Sequence, residues 1–251
     1  MRPLAVVIPA RHEAERLPLL LADLAAAPPG LIAELVVVDG GSTDATARAA
    51  GLAGARVLRT PPGRGGQLRA GVAATAAPWL LLLHADVRLP QGWAAAIAAA
   101  QAVPQGRRGC AWCFDLAVAG PGWSLRWLEL AVACRTRLRR LPYGDQGLLL
   151  PRALLQRCGG IAPLPLMEDL DLVLRLRRQA AIRPLGLRLL VDGRRWRQLG
   201  VLGCAWRNAA LRRAWRRGQD PQALARRYTA QGEYQKAQRR FWGSRSQPWA
   251  P

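Results

Sequence analysis

An α/β fold with a mostly parallel central sheet flanked by helices is what this 251-residue sequence predicts, and three observations carry the prediction. Short apolar runs alternate with helix-like segments from the N-terminus to residue 86. Those runs, "LAVVIP", "LVVV" and "WLLLL" among them, are apolar throughout rather than alternating, as in strands buried on both faces. Three of them also end in polar residues: Arg11, His12 and Glu13 after the first, Asp39 after the second, His84 and Asp86 after the fourth.

Residues 4–9 end in Pro9 and read as the first strand. Residues 13–27 have helical periodicity and stop at Pro28-Pro29-Gly30. Residues 33–41 form a Val-rich second strand closed by Asp39 and two glycines. Residues 42–53 open with Ser42 and Thr43, good N-cap types, and continue as a helix. A third strand (55–60), a loop (61–66), a helix (67–77) and a fourth strand (79–86) follow. Beyond them the pattern predicts a strand at 110–118, a helix at 123–141 with one apolar and one basic face, and a loop running into a strand at 143–150. Helices are expected at 151–160, 165–180 and about 199–217. The expected organisation is one domain over 1–218. It has a nucleotide-binding half at about 1–104, an acceptor-side half at about 105–198 and a basic amphipathic helix at about 199–218. A basic extension, 219–251, ends in a disordered tail.

Half the residues, 51%, are hydrophobic, enough for a substantial core. The formal charge is +21, and Lys236 is the only lysine. The excess is uneven: residues 193–251 hold 14 Arg/Lys against 2 Asp/Glu. The basic character therefore belongs mainly to the C-terminal part, where nucleic acid, an anionic membrane or phosphate-bearing ligands would suit it. Five cysteines without framework spacing point to a reducing compartment. Cys110 and Cys113 form one C-x-x-C with no second pair to complete a zinc site, so they read as buried thiols. The N-terminal apolar run is too short for a signal peptide, and no stretch is long enough to span a bilayer. The expected location is cytoplasmic, with peripheral attachment to the inner membrane face as an option.

In open α/β sheets ligands bind at the carboxyl ends of the parallel strands, where the polar residues converge. Asp39 precedes Gly40-Gly41 and a helix N-terminus, a place for an anion or simply a cap. The sequence has neither a G-x-G-x-x-G fingerprint nor a P-loop. On an extended strand His84 and Asp86 point the same way. They can hold Mg²⁺ or Mn²⁺, imidazole favouring Mn²⁺, or make ordinary hydrogen bonds. Glu168, Asp169 and Asp171 place three carboxylates within four residues of an acid-poor chain. Such a cluster supplies a general base with a raised pKa, or a first helical turn favoured by the helix dipole.

Taken in order, "VVIPARHEAERL" (6–17), "VVVDGGSTDAT" (36–46), "PPGRGGQLRAG" (61–71), "LLLLHADVRLP" (80–90), "YGDQGLLL" (143–150), "PLMEDLDLVLRL" (165–176) and "RRW" (194–196) resemble glycosyltransferase family 2. These are inverting enzymes of GT-A fold that use nucleotide-sugar donors, and the likeness runs to about residue 215, closest to a bacterial subfamily of small soluble members.

The resemblance implies a role for each matching position. Pro9, Arg11 and Glu13 lie against the nucleotide, and Asp39 reads its base or ribose. Arg64 and Gln67 approach the donor. His84-Ala85-Asp86 takes the D-x-D position, with Asp86, and His84 beside it, holding Mn²⁺ or Mg²⁺. Gly144, Asp145 and Gln146 lie near the donor sugar and the acceptor. Asp169 is the base, Glu168 its neighbour, and Arg195 and Trp196 close over the site. The implied donor is of UDP or GDP type. The chain departs from the family pattern at His12 and Arg69, each in place of a common Asn, and at His84, in place of the first Asp of D-x-D. No histidine follows residue 84 to act as a late metal ligand.

"WRNAALRRAWRRG" (206–218) interleaves Arg with Trp. It reads as a membrane-surface helix suited to a lipid-linked acceptor, or as a solvated basic face over packed Trp. Nucleic acid is the least favoured partner, because no recognition motif accompanies the charge and the acidic "EDLD" would repel a polyanion. Two other functions fit less well. A nucleotidyltransferase on a similar sheet lacks its Gly-rich start and phosphate-clamping Lys. A non-catalytic nucleotide- or nucleic-acid-binding module leaves "EDLD" unexplained.

Overall fold

The structure, a computed structural model, describes residues 2–106, 109–194, 196 and 200–228. Its first half follows the alternating plan. β1 (Leu4–Ala10), β2 (Ile32–Asp39), β3 (Arg56–Arg59) and β4 (Trp79–Leu82) are separated by α1 (Leu17–Ala25), α2 (Thr46–Leu52) and α3 (Arg64–Ala73). β1 pairs in parallel with β2 and β4, and β2 in parallel with β3. Every residue of β1 and β4 is buried, which explains their unbroken apolar runs. Alternate residues feed two cores, one on each face of the sheet: Val6, Ile8 and Val37 on one side, Ala5, Val7, Val36 and Val38 on the other.

The second half adds β5 (Val87–Arg88), α4 (Trp93–Ala102), β6 (Cys110–Val118), α5 (Trp123–Arg139), a 3-10 turn (Gly144–Gln146) and β7 (Leu148–Pro151). It continues with α6 (Arg152–Arg157), α7 (Glu168–Gln179), β8 (Ala181–Val191) and α8 (Val201–Arg216). Residues 221–228 are also helical. All eight strands form one sheet in the order β3-β2-β1-β4-β7-β6-β8-β5. β7 runs antiparallel to β4 and β6, β6 pairs in parallel with β8, and β5 pairs antiparallel with β8. The sheet is therefore parallel on the N-terminal side and mixed beyond β4. This is the GT-A arrangement that the family resemblance implies.

Several elements differ from expectation for physical reasons. β8 is not signalled by its sequence, because Pro184, Gly186 and two arginines interrupt an otherwise apolar run. The strand tolerates them because it lies near the sheet edge, half exposed, beside only the two-residue β5. α3 begins at Arg64, inside the expected loop. There Gly65 packs against the 162–164 backbone, where a Cβ would overlap Ala162 O and Leu164 O. Farther along α3, a Cβ on Gly71 would collide with Val7 Cγ1, so the glycine lets this helix lie close on β1 and β2. α2 starts later than expected, its N-cap is Ala45, and Ser42 and Thr43 do not cap it. The expected disordered tail lies outside the described residues beyond 228. Among the described residues no helix is long and apolar enough to cross a membrane.

The five cysteines form no disulfide, and four of them, Cys110 and Cys113 included, are buried. Burial pushes the Cys113 thiol up to about 12, an inert group rather than a metal or redox ligand.

Candidate active site

The polar strand ends meet in one cleft at the carboxyl edge of β1 and β4. Two loops shape its N-terminal wall. After β1 the chain turns at His12, whose φ of 55° is left-handed. Its N–H donates to Ser42 Oγ (3.0 Å), the Glu13 N–H to Thr46 Oγ1 (2.9 Å) and the Ala14 N–H to Asp44 Oδ2 (3.3 Å). The hydroxyls and carboxylate of "GGSTDAT" thus fasten the loop after β2 to the loop after β1. Asp39, 1% exposed, accepts the Ser42 N–H on both oxygens (3.2 Å). Gln67 donates from Nε2 to Ala10 O (3.0 Å) and Val38 O (2.7 Å), tying the ends of β1 and β2 together from α3. Pro9, Arg11, Glu13, Arg64 and Gln67 line this part of the cleft with His84 and Asp86. Asp39 is buried and not among these lining residues.

β4 ends at Leu82, so His84 and Asp86 sit in the following turn rather than on an extended strand. They still reach the same cleft. Behind Asp86 is a charge network that the sequence did not announce. Arg194 approaches Glu13 Oε1 (2.8 Å), Asp86 Oδ2 (3.6 Å) and Asp192 Oδ2 (3.7 Å), while Arg16 binds Asp192 Oδ2 (2.5 Å) and Glu13 Oε2 (3.3 Å). Burial raises the Glu13 carboxyl above the ordinary range against the pull of Arg194, and the Asp86 charge adds to the rise. Burial also acts to raise Asp192. The Arg194 backbone N–H and the Arg16 and Arg194 side chains outweigh it and hold Asp192 below the ordinary range. Glu13 therefore braces Arg194.

The opposite wall comes from α7. Met167, at φ 68°, precedes its first turn. Asp169 turns into the cleft, where Oδ2 accepts the Gly144 N–H (2.8 Å) and Oδ1 the Leu170 N–H (2.7 Å). Gly144 is crowded: a Cβ there would lie 2.7 Å from His84 Nε2 and 3.2 Å from Asp169 Oδ2. The glycine of "YGDQ" is what lets His84 and Asp169 approach the same point. Glu168 points inward, 1% exposed, with its carboxylate 3.2 Å from Arg64 Nε and without a hydrogen bond. Burial pushes its carboxyl up, Arg64 pulls it back and Asp169 adds to the rise, leaving it at about 7. Asp171 is turned to Arg175, on the same helix and away from the cleft (2.6 Å).

Of the "YGDQ" residues, Gly144 and Asp145 border the cleft. Gln146 does not, which corrects the expectation that it contacts sugar or acceptor. It is 0% exposed, donates from Nε2 to Phe114 O (3.0 Å), and accepts from Arg135 (3.0 Å) and the Tyr143 N–H (3.2 Å). Its polarity is spent on holding the turn against β6 and α5. Trp196 lines the cleft, whereas Arg195 lies outside the described residues. Tyr143, Arg194, Asn208, Arg212 and Tyr228 also line the cleft. Sequence reasoning named none of these five, although Arg194 opens "RRW" and Tyr143 opens "YGDQ". Tyr143 is flanked by two guanidiniums, Arg135 at 3.6 Å and Arg212 at 5.2 Å from the ring centre.

A site of this kind can bind a diphosphate against arginines while presenting a carboxylate to a nearby hydroxyl. Residues 5–106 match the sequence profile of glycosyl transferase family 2. Uncharacterized glycosyltransferases of Mycobacterium tuberculosis and Mycobacterium bovis are 43% identical over 88 residues, 35% of this chain and 38% of theirs. The match thus spans about two fifths of those relatives' length. Solved structures of glucosyl-3-phosphoglycerate synthase from Mycobacterium tuberculosis align over 74% of this chain at 25% identity. One, with Mn²⁺, UDP and glucosyl-3-phosphoglycerate, has a TM-score of 0.55 and 71% of its chain covered. Another, with Mn²⁺ and UDP-glucose, has a TM-score of 0.54 and 70% covered. Residues 5–106 of this chain thus match glycosyltransferase family 2, and the chain as a whole has the GT-A fold of the solved structures it aligns with.

Proposed function

We propose that the protein is an inverting glycosyltransferase that moves a sugar from a UDP- or GDP-type donor to an acceptor hydroxyl, with Asp169 as general base. The observation that carries this reading is the placement of Asp169. Its carboxylate is fixed by the Gly144 N–H, faces the cleft, and lines it together with His84 and Asp86. An acceptor hydroxyl is a poor nucleophile until a positioned base takes its proton. Asp169 accepts that proton as the oxygen attacks the anomeric carbon. The bond to the diphosphate breaks on the opposite side and the configuration inverts. Arg64 and Arg194, both lining the cleft, offset the negative charge gathering on the departing diphosphate.

The donor set fits Mg²⁺ or Mn²⁺ shared with a diphosphate. Asp86 offers a carboxylate and His84 an imidazole on one cleft wall, and such ions are commonly held by one or two protein groups plus phosphate oxygens. Asp86 and His84 would hold the ion, which when bound supplies further charge stabilisation to the leaving group. Two of the solved structures this chain resembles contain Mn²⁺, one with UDP and one with UDP-glucose. The acceptor is either a small anionic molecule or a lipid-linked one; the outer face of α8 favours the lipid.

Thermal stabilisation by nucleoside diphosphates and nucleotide sugars, with and without Mn²⁺, tests the reading. Stabilisation by UDP or GDP that is lost in Asp86→Ala supports it. Stabilisation by nucleoside triphosphates alone points to nucleotidyl transfer, and tight salt-sensitive nucleic-acid binding without any nucleotide response overturns both.

A further inference from the structure

α5 carries an apolar stripe on the side where, among the described residues, it is exposed. Trp123, Trp127, Leu130, Cys134 and Leu138 recur at spacings of four, three, four and four residues, one face of a helix. Trp123 is 84%, Trp127 66% and Leu138 83% exposed. The residues that α5 buries, Leu125, Glu129, Val132 and Thr136, repeat the same spacing two positions along, about half a turn around the helix. The exposed stripe therefore points directly away from the sheet.

α8 touches α5 and repeats the arrangement. Leu202 (85% exposed) and Trp206 (78%) lie outside, continued by exposed Ala209 and Arg213. Its inner side holds buried Cys204, and Asn208, Leu211 and Arg212 on that side line the cleft. Large exposed apolar patches on a folded chain mark an interaction surface.

Charge identifies the occupant. Arg139, Arg140, Arg213, Arg216 and Arg217 are all exposed at the ends of these helices. The two helices contain one acid, Glu129, and it is buried and paired with Arg126 and Arg188. A second copy of the chain would bring these arginines against one another. We propose that the outer faces of α5 and α8 together form a docking surface for an anionic lipid bilayer. Trp and Leu enter the headgroup boundary and the arginines meet lipid phosphate, as in interfacial helices. That the docked cleft faces a lipid-borne acceptor rests on the transfer reading; the docking itself does not.

The full chain, labelled with an environment-sensitive fluorophore at Cys134, the one exposed cysteine, tests this. Phosphatidylcholine vesicles are compared with vesicles containing phosphatidylglycerol. The expected result is co-sedimentation and a blue shift with the anionic vesicles only, reversed by salt. Combined Trp123→Ala, Trp127→Ala and Trp206→Ala should weaken binding by about tenfold or more, as should combined Arg213→Ala, Arg216→Ala and Arg217→Ala. Both variants should retain the native melting curve and the nucleotide response, so failure to dock is distinguishable from failure of the transfer reading. Absent binding by the native chain, or undiminished binding by the Trp variant, overturns the proposal. So does a vesicle-independent dimer that the Trp variant abolishes, which assigns the face to a second copy.

Discussion

Arg64 Nε lies 3.2 Å from the Glu168 carboxylate, and this ion pair joins the first turn of α3 to the first turn of α7 across the floor of the cleft. Its two members are moved by different forces. Glu168 is buried, and desolvation dominates, raising it from 4.5 to about 7 although Arg64 opposes the shift. Arg64 is held more firmly protonated, chiefly by Glu168.

The raised carboxyl makes stability pH-dependent with a definite sign. Between about 4.5 and about 7 the folded state holds a proton on Glu168 that the unfolded state has released. Unfolding free energy therefore falls as pH rises through that window. The contribution is fully present below the unfolded value and is lost by about 7, on the order of a few kcal/mol. Glu168→Gln should remove this slope: melting temperatures of native and variant, measured across the window, should converge at the acid end and separate in favour of the variant near neutrality. Parallel curves would show that Glu168 is ionised throughout.

Asp169→Asn separates base chemistry from binding. Asparagine keeps an oxygen to accept the Gly144 N–H, so the loop contact survives. Its amide takes no proton from an acceptor. Turnover should fall by about 10²–10⁴-fold, with donor affinity, read by thermal shift, nearly unchanged. Release of nucleoside diphosphate in the presence of acceptor is the measurement. Residual turnover within severalfold of native would remove Asp169 from the base position.

Gly144→Ala probes how closely His84 and Asp169 are set. The new methyl would lie 2.7 Å from His84 Nε2 and 3.2 Å from Asp169 Oδ2, so one of the two must yield. A small displacement of a positioned group is costly in rate, and a loss of about 10²-fold is expected. The chain should remain folded because the crowding is at the cleft. If single-turnover kinetics show full activity, the cleft absorbs the methyl and the packing around Gly144 does not set the geometry.

The N-terminal half of this fold was legible because β1 and β4 are buried and apolar throughout, β2 ends in a buried Val-rich run, and helix-like segments lie between them. β8 was not, since a strand near a sheet edge tolerates Pro184 and Gly186 and loses its signature. At the site, Asp86, Asp169 and Gly144 could be read because they stand in short local patterns. The bracing network could not: Glu13 meets Arg194 across 181 residues of sequence, and a lone arginine in a chain full of them carries no signal. Ser42 misled for a related reason. Its hydroxyl does accept a backbone N–H, but that of His12 in the loop after β1 rather than one of its own helix.

Gln146 tests the distinction between a residue in a site motif and a residue in the site. It is fully buried, and its amide links β6, α5 and the Tyr143 turn through Phe114 O, Thr136 Oγ1, Arg135 and the Tyr143 N–H. Gln146→Leu is close in volume but leaves those partners unpaired, at a cost of about 1–3 kcal/mol for a buried group. Arg135, whose guanidinium is already made easier to deprotonate by burial, would lose an acceptor and with it a fixed position against Tyr143. The expected outcome is a clear drop in denaturation midpoint, with donor affinity of the folded fraction close to native. Glu at the same position would add charge at a fully buried site and should destabilise more than Leu, despite the nearby arginine. A variant with native stability and lost donor affinity would place Gln146 in contact with substrate after all, and the turn would have to rearrange to expose it.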